Sequence, residues 1–141
     1  MGTPARTLEQ ALAVARDNGV DFSDEDFVFS VSPRPLGANL HAAYLDYDAP
    51  RRDSVVEVGR LLTEDGRIGV VLCPTVLERD DAIIAVVAHE VFEARALLDE
   101  FRKSGGRMPA WKVRSLVDSV TGTLHCAAWD HADELVRKRH G

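Results

Sequence analysis

The stretch Ala82-Ile-Ile-Ala-Val-Val-Ala-His-Glu-Val-Phe-Glu93 decides how this chain folds. Its first part, residues 82–88, is apolar on every side of a helical wheel, a pattern typical of a helix buried in a core. Polar residues follow this run without a break. These polar residues are therefore expected on a helix that the fold buries.

The bounds of this helix are indicated by residues on either side of the stretch. Asp80 or Asp81 can cap its first turn, because a short acidic side chain accepts hydrogen bonds from free backbone N–H groups. Gly105-Gly106 can end it. The sequence therefore predicts a long helix from about 81 to 102.

Three polar side chains share one side of this helix. At 100° per residue, with His89 at zero, Glu93 falls near 40° and Glu90 near 100°. The charged residues Arg95 and Asp99 fall at about 240° and 280°, on the opposite side. Buried carboxylates beside a histidine need a compensating positive charge, which a divalent cation can supply. The sequence therefore predicts a metal site, with an ordinary cluster of hydrogen bonds and ion pairs as the alternative.

The spacing resembles the active-site helix of the zincin metallopeptidases. In that family an uncharged residue precedes His-Glu, two uncharged residues follow, and a second histidine comes next. Here Ala88, His89-Glu90 and Val91-Phe92 match, and Glu93 stands where the family has histidine. The resemblance implies a single zincin-like domain over residues 1–141. It implies that His89 and Glu93 bind Zn²⁺ and that Glu90 is the catalytic base acting on metal-bound water.

A third ligand is expected from the last helix, which is predicted over about 124 to 138. His125 is central to its apolar stripe, with Val136 and Trp129 within about 40° of it. Asp133, at about 80°, can orient the His125 ring from behind. The proposed ligand set is thus His89, Glu93 and His125, and a core histidine that binds no metal is the alternative for His125.

The remaining elements follow from periodicity and from turn residues. Thr7-Leu-Glu-Gln10 has the spacing of a capping box, and Asn18-Gly19 supplies a stop, so a first helix spans about 7 to 18. Strands are expected at 27–31, at 39–47 and in a hairpin made of 55–62 and 67–72. Pro109 opens a further helix at about 109–119, which Thr121-Gly-Thr123 ends. One helix, about four strands and then three helices indicate an α+β fold.

Composition narrows the classes of partner. The chain has 141 residues, 45% of them hydrophobic, which suits one domain with a real core. A net charge of −6 without one basic patch argues against nucleic acid as a partner. No apolar run approaches the roughly 20 residues of a membrane span, and the N-terminus lacks a signal core. The sequence predicts a cytoplasmic protein, or a module secreted within a larger effector, and leaves its oligomeric state open.

Three functions compete on this evidence. The first is a zinc-dependent hydrolase, an enzyme that cleaves a peptide or protein substrate aligned along an edge strand near 67–72. The second is a protein-interaction module without catalysis, in which the polar residues form a structural or metal cluster. A metal-dependent nuclease is the third, and the acidic charge counts against it. The chain also resembles C-terminal domains of bacterial polymorphic toxins, through the pairing of the central helix with the later segment around His125, which implies a toxin domain.

Overall fold

The computed structural model describes residues 5–31, 42–44, 67–72, 74–103 and 110–141. In chain order they form helix α1 (Leu8–Asp17), strands β1 (Phe27–Val31), β2 (Ala42–Tyr44) and β3 (Ile68–Leu72), a 3₁₀ helix (Pro74–Glu78), and helices α2 (Asp80–Lys103) and α3 (Ala110–Arg139). In β2 and at several positions of α3, His125 among them, only the backbone is described. The fold of this part is α+β, as predicted, with three strands where about four were expected.

The strands form one mixed sheet in the order β1-β3-β2. β3 pairs in parallel with β1, Phe27 opposite Ile68, and antiparallel with β2, Ala42 opposite Leu72. The prediction that 67–72 is an edge strand able to align a peptide is therefore wrong, because β1 pairs with one backbone edge of β3 and β2 pairs with the other over residues 70–72. The strand predicted at 55–62, its turn and the flanks of the strand predicted at 39–47 lie outside the described residues.

Helix α1 has the capping residues that the sequence predicts at its two ends. Thr7 Oγ1 accepts from the Gln10 backbone N–H at 3.1 Å, and the Thr7 N–H donates to Gln10 Oε1 at 3.0 Å. This is the reciprocal capping box, which satisfies two N–H groups that the first turn leaves open. Asn18 caps the other end, and Gly19 follows with φ of 96°, a conformation that glycine adopts without strain.

Helix α2 begins one residue before its predicted start. The Arg79 carbonyl accepts the first helical hydrogen bond, from Ile83, so Asp80 and Asp81 lie in the first turn and do not cap it. Their carboxylates instead bind cations from both ends of the chain, a group that we call the terminal cluster. Its other members are Arg6, which binds Asp80 at 2.8 Å, and Arg139 and His140, which bind Asp81 at 2.6 and 2.8 Å.

Helix α3 is one continuous helix where two were predicted. The backbone stays helical through Thr121-Gly-Thr123, the expected break. A glycine in a helix costs only about 1 kcal/mol relative to alanine, which helical neighbours and packing against α2 can offset. Gly122 is exposed, and apart from its chain neighbours and the backbone of its own helix no atom lies within 4 Å of where its Cβ would be. The prediction of three helices after the sheet is therefore wrong for this region.

The core lies between the sheet and α2, with α1 and α3 packed along the helix. The apolar run of α2 supplies many of its residues, and β3 is buried over nearly its whole length. The largest fully buried side chains are Phe27, Ile68, Leu72, Ile83, Ile84, Leu98, Val70, Val76 and Val87. Among the described helices, none has the length and apolar content to cross a membrane.

Candidate metal centre

The polar residues of α2 lie where the helix leaves the apolar core. The exposed fraction is 6% for His89 and 4% for Glu93, and these are the polar residues buried in the described part of the chain. Glu90 is half-buried beside them. Arg95 and Asp99 are exposed on the far side, as the helical spacing predicts. Burial of the stretch before His89 therefore extends to the polar residues that follow it.

The two glutamates contact opposite nitrogens of the His89 ring. Glu90 Oε1 lies 3.1 Å from Nδ1, and Glu93 Oε1 lies 3.3 Å from Nε2, in the i, i+4 relation. A neutral imidazole carries one N–H, so it can donate to only one carboxylate at a time. The imidazolium carries two N–H groups and can donate to both. The arrangement therefore favours the protonated ring when no metal ion competes for Nε2.

The pKa of His89 reflects two opposed effects. Burial lowers it, whereas hydrogen bonds to Glu90 and Glu93, and the negative charge of both, raise it by more. The net result is a pKa raised from 6.5 to about 9. The ring is thus mainly cationic at neutral pH, and the buried carboxylates have a positive charge between them. This positive charge offsets one of the two carboxylate charges, whereas the divalent ion inferred from the sequence would offset both.

An aromatic residue from α3 completes the surroundings of the ring. Trp129 stacks on the His89 imidazole, with ring centroids 4.2 Å apart and planes inclined by 23°. A flat indole over an imidazolium adds a favourable cation–π interaction. The helical wheel placed Trp129 on the apolar stripe of the last helix but did not connect it to His89. The contact depends on how α3 docks on α2, so spacing within one helix carries no signal for it.

The cluster can be compared with the requirements of a bound ion. His89, Glu90 and Glu93 each offer a ligand atom, and these atoms lie within 4.8 Å of one another. Two zinc ligands at typical bond lengths in a tetrahedral arrangement lie roughly 3.4 Å apart. The Nε2 to Glu93 Oε1 separation of 3.3 Å fits this value. Nitrogen and carboxylate oxygen are both ordinary zinc donors, so the residues present fit the ion.

Glu90 is placed differently from its predicted role. Its carboxylate lies at Nδ1, across the ring from the Nε2 and Glu93 pair. A carboxylate at this nitrogen commonly orients a metal-binding histidine and raises its basicity. The catalytic assignment of Glu90 stays a prediction, and in this conformation its side chain has a positioning contact.

The predicted third ligand and its orienting residue lie on either side of Trp129 in the sequence. His125 belongs to α3, four residues before Trp129, and its side chain lies outside the described part of the structure. Asp133 is exposed, four residues after Trp129. The ligand role of His125 and the orienting role of Asp133 both stay predictions.

Comparisons with known proteins add no relative. No protein-family model, no curated protein and no solved structure matches the chain. The geometry of the cluster around His89 is therefore the observation on which a functional proposal rests.

Proposed function

We propose that this chain binds a divalent metal ion, zinc by its donors, and uses it to hydrolyse a peptide or protein substrate. His89 through Nε2 and Glu93 through its carboxylate would hold the ion. The observation that carries the proposal is the buried pair of these two atoms, 3.3 Å apart on successive turns of one helix. The resemblance of the stretch to the zincin helix supports hydrolysis as the activity.

The donor set favours zinc among the common divalent ions. Mg²⁺ and Ca²⁺ prefer sites built wholly from oxygen atoms, whereas imidazole suits zinc and its transition-metal neighbours. The bound ion would supply Lewis acidity, polarising a carbonyl and promoting ionisation of water. His125 is the proposed third ligand, from the helix that packs along α2.

Glu90 has two candidate roles, which one substitution separates. As general base it would have to leave Nδ1 and take a proton on the substrate side of the site. As a positioning residue it would stay at Nδ1 and hold the imidazole. Glu90→Gln that keeps zinc but loses hydrolysis supports the base, and Glu90→Gln that binds zinc at least about tenfold more weakly supports the positioning role.

A second candidate function rests on the raised pKa of His89. With the ring protonated, His89 forms ion pairs with both glutamates in the absence of a metal. The chain would then be an interaction module without catalysis, whose buried cluster joins α2 to α3 through Trp129. This candidate predicts no zinc affinity above that of exposed carboxylates.

The experiment that tests the proposal is a zinc titration of metal-free protein against a chromophoric chelator. Wild type is compared with Glu93→Gln, and with Glu100→Gln as a control, since Glu100 is an exposed acid on the same helix. Glu93→Gln should weaken zinc binding by at least about tenfold, and Glu100→Gln should leave it unchanged. Equal affinity in all three proteins would overturn the metal site. If zinc-loaded wild type cleaves no peptide in a broad library, the proposed hydrolase activity is overturned.

A further inference from the structure

Trp129 is the contact that links the candidate site to a second helix. Its indole covers one face of the His89 ring, while the two edges of that ring face Glu90 and Glu93. The torsion that turns an imidazole about its Cβ–Cγ bond has broad, shallow minima, so the side chain alone does not fix the plane of the ring. Glu90 and Glu93 contact the edges of the ring from within α2, and packing from outside α2 adds a restraint on its plane.

We infer that Trp129 is a positioning residue for the metal site, which the docking of α3 on α2 completes. Turning the His89 ring would move Nε2 away from Glu93 and would also break the stacking with Trp129. The indole therefore favours the one orientation in which Nε2 and the Glu93 carboxylate point at a common position. This inference rests on the proposed function, because it concerns the same ion.

A second pair of rings supports the fixed register of the two helices. Phe92 of α2 lies against His131 of α3, with ring centroids 5.6 Å apart and planes inclined by 38°. Phe92 follows His89 by three residues, and His131 follows Trp129 by two. In each helix the two rings lie within about one turn, and the two contacts together oppose sliding of α3 along α2.

The test compares the zinc affinities of variants that each change one apolar side chain of α3. Trp129→Leu keeps an apolar side chain but loses the flat ring, and Trp129→Phe keeps a ring. Leu135→Ala is the matched control, because Leu135 lies on α3 six residues after Trp129 and packs near Gly19. Trp129→Leu should weaken zinc binding about tenfold, and Trp129→Phe should stay within about threefold of wild type. Leu135→Ala should lower the unfolding temperature and keep the zinc affinity.

Two outcomes of this comparison overturn the inference. One is a Trp129→Leu protein that binds zinc as tightly as wild type. The other is a Leu135→Ala protein that loses as much affinity as Trp129→Leu, which would mean that α3 acts only through stability. Wild type that binds no zinc overturns the proposed function, and the inference with it.

A spectroscopic measurement gives an independent answer if Trp129→Leu fails to fold. Trp111→Phe leaves Trp129 as the sole tryptophan. Its emission should be strongly quenched when Co²⁺ binds, because the ring that would bind the ion is stacked on the indole. Adding Glu93→Gln should abolish quenching at the same Co²⁺ concentration. Bound Co²⁺, measured by mass spectrometry, without quenching would overturn the role of Trp129.

Discussion

The protonation of His89 gives the sharpest physical prediction. Its pKa of about 9 in the folded protein compares with 6.5 for an unperturbed histidine. A raised folded-state pKa stabilises the fold when the ring is protonated. The contribution is therefore fully present below pH 6.5 and is lost as the pH rises through about 9. His89→Gln, which is neutral at every pH, should lack this dependence.

The magnitude follows from the size of the shift. One pKa unit corresponds to 1.36 kcal/mol, so the full shift amounts to roughly 3 kcal/mol. Glu90 is half-buried, and solvent screening of its charge reduces this figure. Metal-free wild type should therefore lose about 1 to 3 kcal/mol of unfolding free energy between pH 6 and 9.5, relative to His89→Gln.

Two assays check this prediction. Nitrogen-15 NMR of the histidine rings reports the pKa of His89 directly, with His89→Gln to assign the signal. Urea unfolding of both proteins, followed by far-ultraviolet circular dichroism across the pH range, reports the free energy. A pKa at or below 6.5, or a difference between the two proteins that does not change with pH, would refute the ion-pair arrangement around the ring.

Three further predictions follow from the site and the fold. Apparent zinc affinity should rise about tenfold per pH unit between pH 6 and 8, because His89 must release a proton to bind the ion. A zinc affinity that does not change with pH, measured by competition with a chelator, would contradict this. Gly122→Ala should stabilise the protein by about 0.5–1 kcal/mol, since it lies within α3, whereas Gly19→Ala should destabilise it by about 1 kcal/mol or more at its positive φ. Urea unfolding that gives both changes the same sign would contradict the continuous helix or the turn. Asp80→Asn should cost less than about 1 kcal/mol at pH 7. The hydrogen bond from Arg6 lowers the pKa of Asp80, so this carboxylate stabilises the fold above the pKa of a free carboxyl, and the contribution is lost as the pH falls through the lowered pKa. Asp80→Asn should therefore lose less stability than wild type on acidification. An unchanged acid profile would contradict the terminal cluster.

Local signals in the sequence were enough for α1, β1 and α2. A capping box, an alternating strand and an apolar run each depend on residues within one element, so neighbours in sequence specify them. Helix α2 is confirmed to within a residue or so of both predicted ends. The exposed face marked by Arg95 and Asp99 is confirmed as well, because helical spacing alone determines it.

Features that depend on tertiary contacts were not predicted. The apolar residues of 67–72 indicate a strand but not its neighbours, so the central place of β3 between β1 and β2 could not be read from them. Thr121-Gly-Thr123 has the composition of a break, yet packing of α3 on α2 outweighs the local preference. In both cases a weak local signal was overruled by partners distant in the chain.

The candidate site was predicted in part for the same reason. The i, i+4 spacing places His89 and Glu93 on one face, and the structure confirms their contact. The position of Glu90 at Nδ1 depends on side-chain torsions, and the stacking of Trp129 depends on helix docking. Neither follows from spacing in one helix, so the members of the cluster on α2 were predicted and Trp129 of α3 was missed.

The most direct test of the metal site is the zinc content of protein purified without a histidine tag. Metal-free wild type and His89→Ala are dialysed against the same low concentration of zinc, and zinc is measured by inductively coupled plasma mass spectrometry. The account predicts one zinc per wild-type chain and none above background in His89→Ala. Equal zinc in the two proteins, or none in either, would contradict it and leave the cluster as a structural ion pair.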